Sequence, residues 1–267
     1  MPWARRVEIL EPIGGGGFST GAARGPVVAG MLLLKDSEER WRFPLVTVLI
    51  IVACGLVFWW EQRLGEAGLR QAFLRWGFVP AKAGAALALG DKLGIRDAVV
   101  TLFTSQFLHG SWLHVIGNLW ALWIFGDNVE DRFGRALYLG FYLGCGVAAA
   151  VAHGVMASAS PLPAVGASGA INGVMGAYLV WCWRSRVTLL VPIVIIPLPI
   201  KVPAVLYLLF WIATQWLAAA STLGQSVHLG GVAWWAHIGG FTCGVLGALC
   251  VRPLQEYEVK PVRQRRS

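Results

Sequence analysis

Long apolar runs alternate with short polar connections along most of this chain. Runs near the length needed to cross a hydrocarbon layer of about 30 Å fall at residues 43–60, 112–125, 136–156, 164–183, 203–221 and 232–251. The pattern predicts six spanning helices, an all-α membrane bundle over residues 43–251. A cytoplasmic extension (1–42) precedes it and a basic cytoplasmic tail (252–267) follows. A further apolar run, residues 187–200, holds Pro192, Pro197 and Pro199. Proline removes an amide donor and collides with the preceding helical turn, so this run reads as an extended hairpin or interfacial segment.

Composition agrees with membrane insertion. Of the 267 residues, 57% are hydrophobic and 14 are tryptophan. Mean hydropathy is +0.63, above that of a water-soluble domain. The five cysteines, Cys54, Cys145, Cys182, Cys243 and Cys250, all lie in apolar segments without metal-ligand spacing, so neither disulfides nor a metal site is expected.

A net charge of +8 fits topology better than nucleic acid, because no basic stripe interleaved with aromatics stands outside the apolar runs. With a cytoplasmic amino terminus, sixteen of the 22 lysines and arginines fall inside, as the positive-inside rule favours. The other six lie in the long outer connection 61–110, where Glu61, Glu66, Asp91 and Asp97 partly balance them.

Strongly polar side chains within spans are costly, and each is a candidate for function. Span two opens on "HGSWLHVIGN", with His109, His114 and Asn118; span four carries Ser168 in "PAVGASGAING"; span six carries His237 in "AHIGGFTCG". Gln215 and Asn172 complete the set, and Gln215 reads as a packing contact. Spans two, four and six share one direction, so their early residues share a depth, within about 9 Å of the outer ends at 1.5 Å per residue.

A serine becomes a nucleophile when a base such as histidine stands within hydrogen-bond reach. His237 can serve Ser168, and no buried carboxylate is available as a third member, so the reading is a dyad. His114 and Asn118, one helical turn apart, can donate to a developing oxyanion. The Ser168 amide, at the start of its helix, can join them. Gly169 and Gly173 on span four and Gly240 and Gly244 on span six form small-xxx-small pairs that allow close approach. His109 reads as a brace for the outer loop, and His153 and His228 as solvated residues near outer loop ends. Asp127, Glu130, Asp131 and Arg132 read as a charged cytoplasmic turn, a helix-end cap or ion-pair cluster. The second span, about 21 Å long as read, suggests a thinned or wet outer region.

Together these motifs resemble those of the rhomboid intramembrane serine proteases. That family carries GxSG at the nucleophile, here Gly166, Ser168 and Gly169; a histidine on the sixth span, here His237; and HxxxxHxxxN on the second, here His109, His114 and Asn118. The resemblance implies a six-span rhomboid-like bundle that cleaves membrane-anchored proteins near the outer face through an acyl-enzyme, without cofactor. It also implies that span five gates substrate entry beside span two. Two positions depart from the family pattern. Val100 and Thr101 stand where many rhomboids have a Trp-Arg pair, and Asn172 stands where some have an aromatic lining the specificity pocket.

Other chemistries fit poorly. There is no HExxH for zinc, no facing pair of intramembrane carboxylates, and no pair of broken helices of the transporter kind. The remaining alternative is a noncatalytic rhomboid-like protein that binds membrane clients for trafficking or quality control. The expected location is a bacterial inner membrane, with Arg5, Arg6 and Arg24 leaving a mitochondrial address open.

Overall fold

The structure is a computed structural model that describes residues 32–38, 41–193, 196–222 and 232–251. Most of the predicted extension, the tail and His228 lie outside the described residues. In chain order the elements are β1 (Leu32–Asp36), α1 (Leu45–Glu61), α2 (Gly65–Trp76), α3 (Pro80–Leu89), α4 (Lys92–Thr104), α5 (Trp112–Phe133), α6 (Arg135–Met156), α7 (Ser168–Trp181), β2 (Arg186–Ile193), β3 (Ile196–Pro203), α8 (Ala204–Ser221) and α9 (Trp234–Cys250).

The six apolar runs become α1, α5, α6, α7, α8 and α9. Their lengths differ from the expected ones at two places, and both matter. The second span does not stop near residue 125: α5 continues to Phe133, 22 residues or about 33 Å. It therefore gives no ground for a thinned bilayer. Its last turns stay helical because their polar side chains find partners. Glu130 accepts the Val46 and Thr47 amides at 3.0 and 2.8 Å, capping α1, whose own N-cap residue, Pro44, offers no side-chain bond. A carboxylate there satisfies two orphan donors and meets the positive end of the helix dipole.

The short helix is instead α7, 14 residues or about 21 Å. Ser168 is its first residue, and the chain before it runs extended, bridging Ala164 to Phe78. At this length α7 is about 9 Å shorter than the hydrocarbon layer, and it is entered by extended chain. α7 is also the central helix: every residue from Gly169 to Tyr178 is buried, which explains why it is apolar or small on all sides.

α7 packs most extensively against α9 and then α6. A Cβ added at Gly240 would fall on the Gly169 carbonyl, and one at Gly244 on the Gly173 carbonyl. The glycines of α9 thus seat the α7 backbone directly. Gly169 and Gly173 also face α6, where a Cβ at each would meet Ala149 and Cys145, and one at Gly173 would lie 3.2 Å from the Gly240 carbonyl of α9.

The proline-rich run 187–200 forms the antiparallel hairpin β2–β3, with Pro192 opposite Pro197. β1, from the segment read as an extension, adds a third strand in the order β1-β2-β3. The long outer connection, read without structure, folds into α2, α3 and α4. Pro80 opens α3, Gly90 closes it in the left-handed conformation at φ 64°, and Asp91 caps α4 through the Leu93 amide.

β1 is tied to the bundle by a buried polar cluster. Asp36 accepts from Tyr178 at 2.7 Å and from Asn128 at 2.8 Å. Arg132 pairs with Glu38 at 3.2 Å. Burial, and then the charges of Asp127 and Glu38, push the Asp36 carboxyl up to about 7. A carboxyl raised in the folded state stabilises fully below its ordinary value near 3.8, and that contribution fades as pH rises through about 7. The unfolding midpoint of wild type in detergent is therefore expected to fall between pH 4 and 7.5 relative to Asp36→Asn. Parallel curves for the two proteins would refute this.

Candidate active site

The N-terminal ends of α5, α7 and α9 converge, and α8 completes the site. Ser168 Oγ and His237 Nε2 stand 2.8 Å apart. His237 is buried and Ser168 half-buried, so the contact lies inside the bundle. The other ring nitrogen, Nδ1, lies 2.7 Å from Gln215 Oε1 on α8. An amide oxygen can only accept, so Nδ1 carries the proton and Nε2 presents its lone pair to the Ser168 hydroxyl.

His114 and Asn118 flank the segment just before the serine. A Cβ added at Gly166 would lie 2.7 Å from His114 Nε2 and 3.7 Å from Asn118 Nδ2. Gly166 also has φ 127°, which side chains rarely adopt. Glycine is thus required here twice, by conformation and by the approach of His114. Asn118 is 8% exposed, and its Nδ2 is buried with no hydrogen-bond partner. A buried donor left unmade costs about 1–3 kcal/mol, and such groups mark places where a ligand atom belongs. The Ser168 amide, at the first position of α7, lacks an intrahelical acceptor.

His109 is 1% exposed and fixed as a brace. Its amide donates to the Glu61 carboxylate at 3.1 and 3.3 Å, its Nδ1 donates to the Phe107 carbonyl at 3.1 Å, and its ring meets that of His114 edge-on at 5.2 Å.

Asn172 is 2% exposed, donating to the Ser168 carbonyl and accepting from the Trp211 indole, both at 2.9 Å. Two expectations change. His153 is a half-buried residue of α6 whose Nδ1 is buried without a partner, not a solvated loop residue. Gln215 is not a mere packing contact, as its bond to His237 shows.

Gln215 was within reach of sequence reasoning. It lies six residues before the end of α8, about 9 Å from that end, in the layer of Ser168 and His237. Comparing depth only among spans two, four and six left out a helix of opposite direction.

Val100 and Thr101 line a surface cavity of about 260 Å³ with Arg75, Trp76, Arg96 and Asp97, and the Arg75 guanidinium lies 5.4 Å from the Trp76 ring centre.

Comparison with known proteins matches the Rhomboid domain to residues 96–254, more than half of the chain. The chain is 30% identical over 163 residues to the Rhomboid protease GluP of Bacillus subtilis (strain 168), covering 58% of this chain and 30% of that protein. It is 34% identical over 152 residues to RHOMBOID-like protein 12, mitochondrial, of Arabidopsis thaliana, covering 50% and 43%. It is 26% identical over 151 residues to Rhomboid protein 1, mitochondrial, of Saccharomyces cerevisiae, covering 55% and 40%. The matched stretch spans less than half the length of each of these relatives. Taken with the helical bundle that seats α7 at its centre, the domain match shows that this chain is an integral membrane protein of the rhomboid family.

Proposed function

We propose that this protein is an intramembrane serine endopeptidase that cleaves membrane-anchored proteins just beneath the outer membrane face. The observation that carries the reading is the 2.8 Å contact of Ser168 Oγ with His237 Nε2, inside a membrane bundle and beside an unpartnered buried donor. A hydroxyl and an imidazole in that geometry are what nucleophilic acyl transfer needs.

His237 Nε2 takes the Ser168 proton as Oγ bonds to the substrate's carbonyl carbon. The carbonyl oxygen becomes an oxyanion, received by Asn118 Nδ2, His114 and the Ser168 amide. The imidazolium then gives its proton to the leaving amine, the C–N bond breaks, and an ester to Ser168 remains. Water, deprotonated by His237, attacks the ester and releases the second product. Ser168 opens a short helix, so a substrate has to present extended backbone below the membrane surface.

With both termini cytoplasmic, the site opens to the outer side. The relatives include bacterial and mitochondrial proteins, so the expected bacterial inner membrane gains no support from them. The catalytic reading does not depend on it.

The test is cleavage of a single-span membrane protein by the purified protein in detergent, with Ser168→Ala as the blank. Cleavage by wild type alone supports the protease. Equal cleavage by both rejects it, and binding without cleavage favours a client-binding role. In the same assay Asn118→Ala is expected to lower kcat about 10²–10³-fold, the cost of one oxyanion donor, with its unfolding midpoint retained. An unchanged rate would remove Asn118 from the oxyanion site.

A further inference from the structure

We infer that Gln215 is the positioning residue for the base: its side-chain oxygen holds His237 in the tautomer and orientation that aim Nε2 at Ser168. The inference rests on the reading of Ser168 and His237 as nucleophile and base, and names the third member that a dyad leaves out.

Three observations carry it. Gln215 is 1% exposed, deep in an apolar helix where a polar side chain is retained only with partners. Its oxygen lies 2.7 Å from His237 Nδ1, on the side of the ring opposite the serine. The amide is held against flipping by its own nitrogen, which donates to Thr214 Oγ1 at 3.1 Å and approaches the Trp211 carbonyl at 3.5 Å. The Thr214 hydroxyl in turn donates to the Trp211 carbonyl at 2.6 Å, leaving its lone pairs for Gln215. Turning the amide over would set its oxygen against that carbonyl and two N–H groups against a protonated Nδ1. Every donor in the series Ser168, His237, Gln215, Thr214 thus points one way.

A neutral amide also suits the location. A carboxylate at this depth would carry a large desolvation penalty, whereas an amide sets the tautomer without placing a charge. Among the described residues, this leaves a base without an anionic partner: the ionisable side chains that act on His237 through space are the imidazoles of His114 on α5 and His153 on α6. Ser168 on α7 and Gln215 on α8 are its hydrogen-bond partners, and the Trp234 ring of its own helix stands edge-on at 6.1 Å.

The test compares wild type, Ser168→Ala, Gln215→Leu and Gln215→Glu for kcat/KM against pH on one membrane substrate, with thermal unfolding of each. Gln215→Leu removes the acceptor and is expected to lower kcat about 10²-fold with little change in KM, as loss of an orienting partner does. Gln215→Glu restores an acceptor and adds charge. It is expected to recover most of kcat and to move the acid limb of the profile up by about one pH unit, because a nearby anion favours the imidazolium. A wild-type rate and limb in Gln215→Leu, with Ser168→Ala inactive, would overturn the Gln215 assignment alone. Should Gln215→Leu not fold, Gln215→Glu decides: a raised limb supports the assignment and an unmoved limb overturns it. Cleavage by Ser168→Ala at the wild-type rate would overturn the protease reading and this inference with it.

Discussion

His237→Gln is expected to cleave a membrane substrate at least about 10⁴-fold more slowly than wild type, the scale of loss when a member of such a catalytic set is removed. Glutamine is chosen because it still offers an acceptor to the Ser168 hydroxyl and a polar group to Gln215, so a folded protein with its buried polar groups satisfied is retained. What it cannot do is take a proton. The contact at 2.8 Å would then persist as a hydrogen bond without chemistry. The check is the initial rate of product formation in detergent, with the unfolding midpoint measured alongside. A rate within tenfold of wild type would mean that His237 is a packing residue.

Gly244→Val is expected to be the most damaging change outside the site itself. Its first added carbon would fall on the Gly173 carbonyl, and backbone at the centre of the bundle cannot swing aside as a flexible side chain could. The helices must separate. Overpacking of this kind costs about 1–3 kcal/mol and sometimes more, and two further methyl groups place this substitution at the upper end. α9 carries His237 and α7 carries Ser168, so the same separation lengthens the 2.8 Å contact. A displacement of about 1 Å costs on the order of 10² in rate. The unfolding midpoint and the cleavage rate should fall together. Gly55→Ala is the control, since nothing lies within 4 Å of its added carbon, and it should leave both unchanged. An active, stable Gly244→Val would show that close seating of α7 on α9 does not set the site.

The order of the six apolar helices was legible because hydrocarbon thickness imposes a length, and the prolines of 187–200 marked the hairpin because proline disrupts a helix interior. Helix ends were less legible. α5 runs on to Phe133 because Glu130 caps α1 and Arg132 meets Glu38 on a distant segment, partners that local hydropathy cannot reveal. β1 stayed hidden for the same reason: Leu32 pairs with Leu190, far along the chain. At the site, depth arithmetic placed Ser168, His237, His114 and Asn118 in one layer. It could not tell that Asn172 and Trp211 bridge α7 to α8, or which buried amide would turn toward the imidazole.

The most direct measurement is mass spectrometry of the protein after treatment with a serine-directed phosphonate. An activated Ser168 Oγ attacks phosphorus and displaces its leaving group, leaving one covalent adduct. The account predicts a single adduct on the peptide containing Ser168, absent in Ser168→Ala and greatly slowed in His237→Gln. Labelling of Ser168 at the same rate in wild type and His237→Gln, or an adduct on another residue, would contradict it.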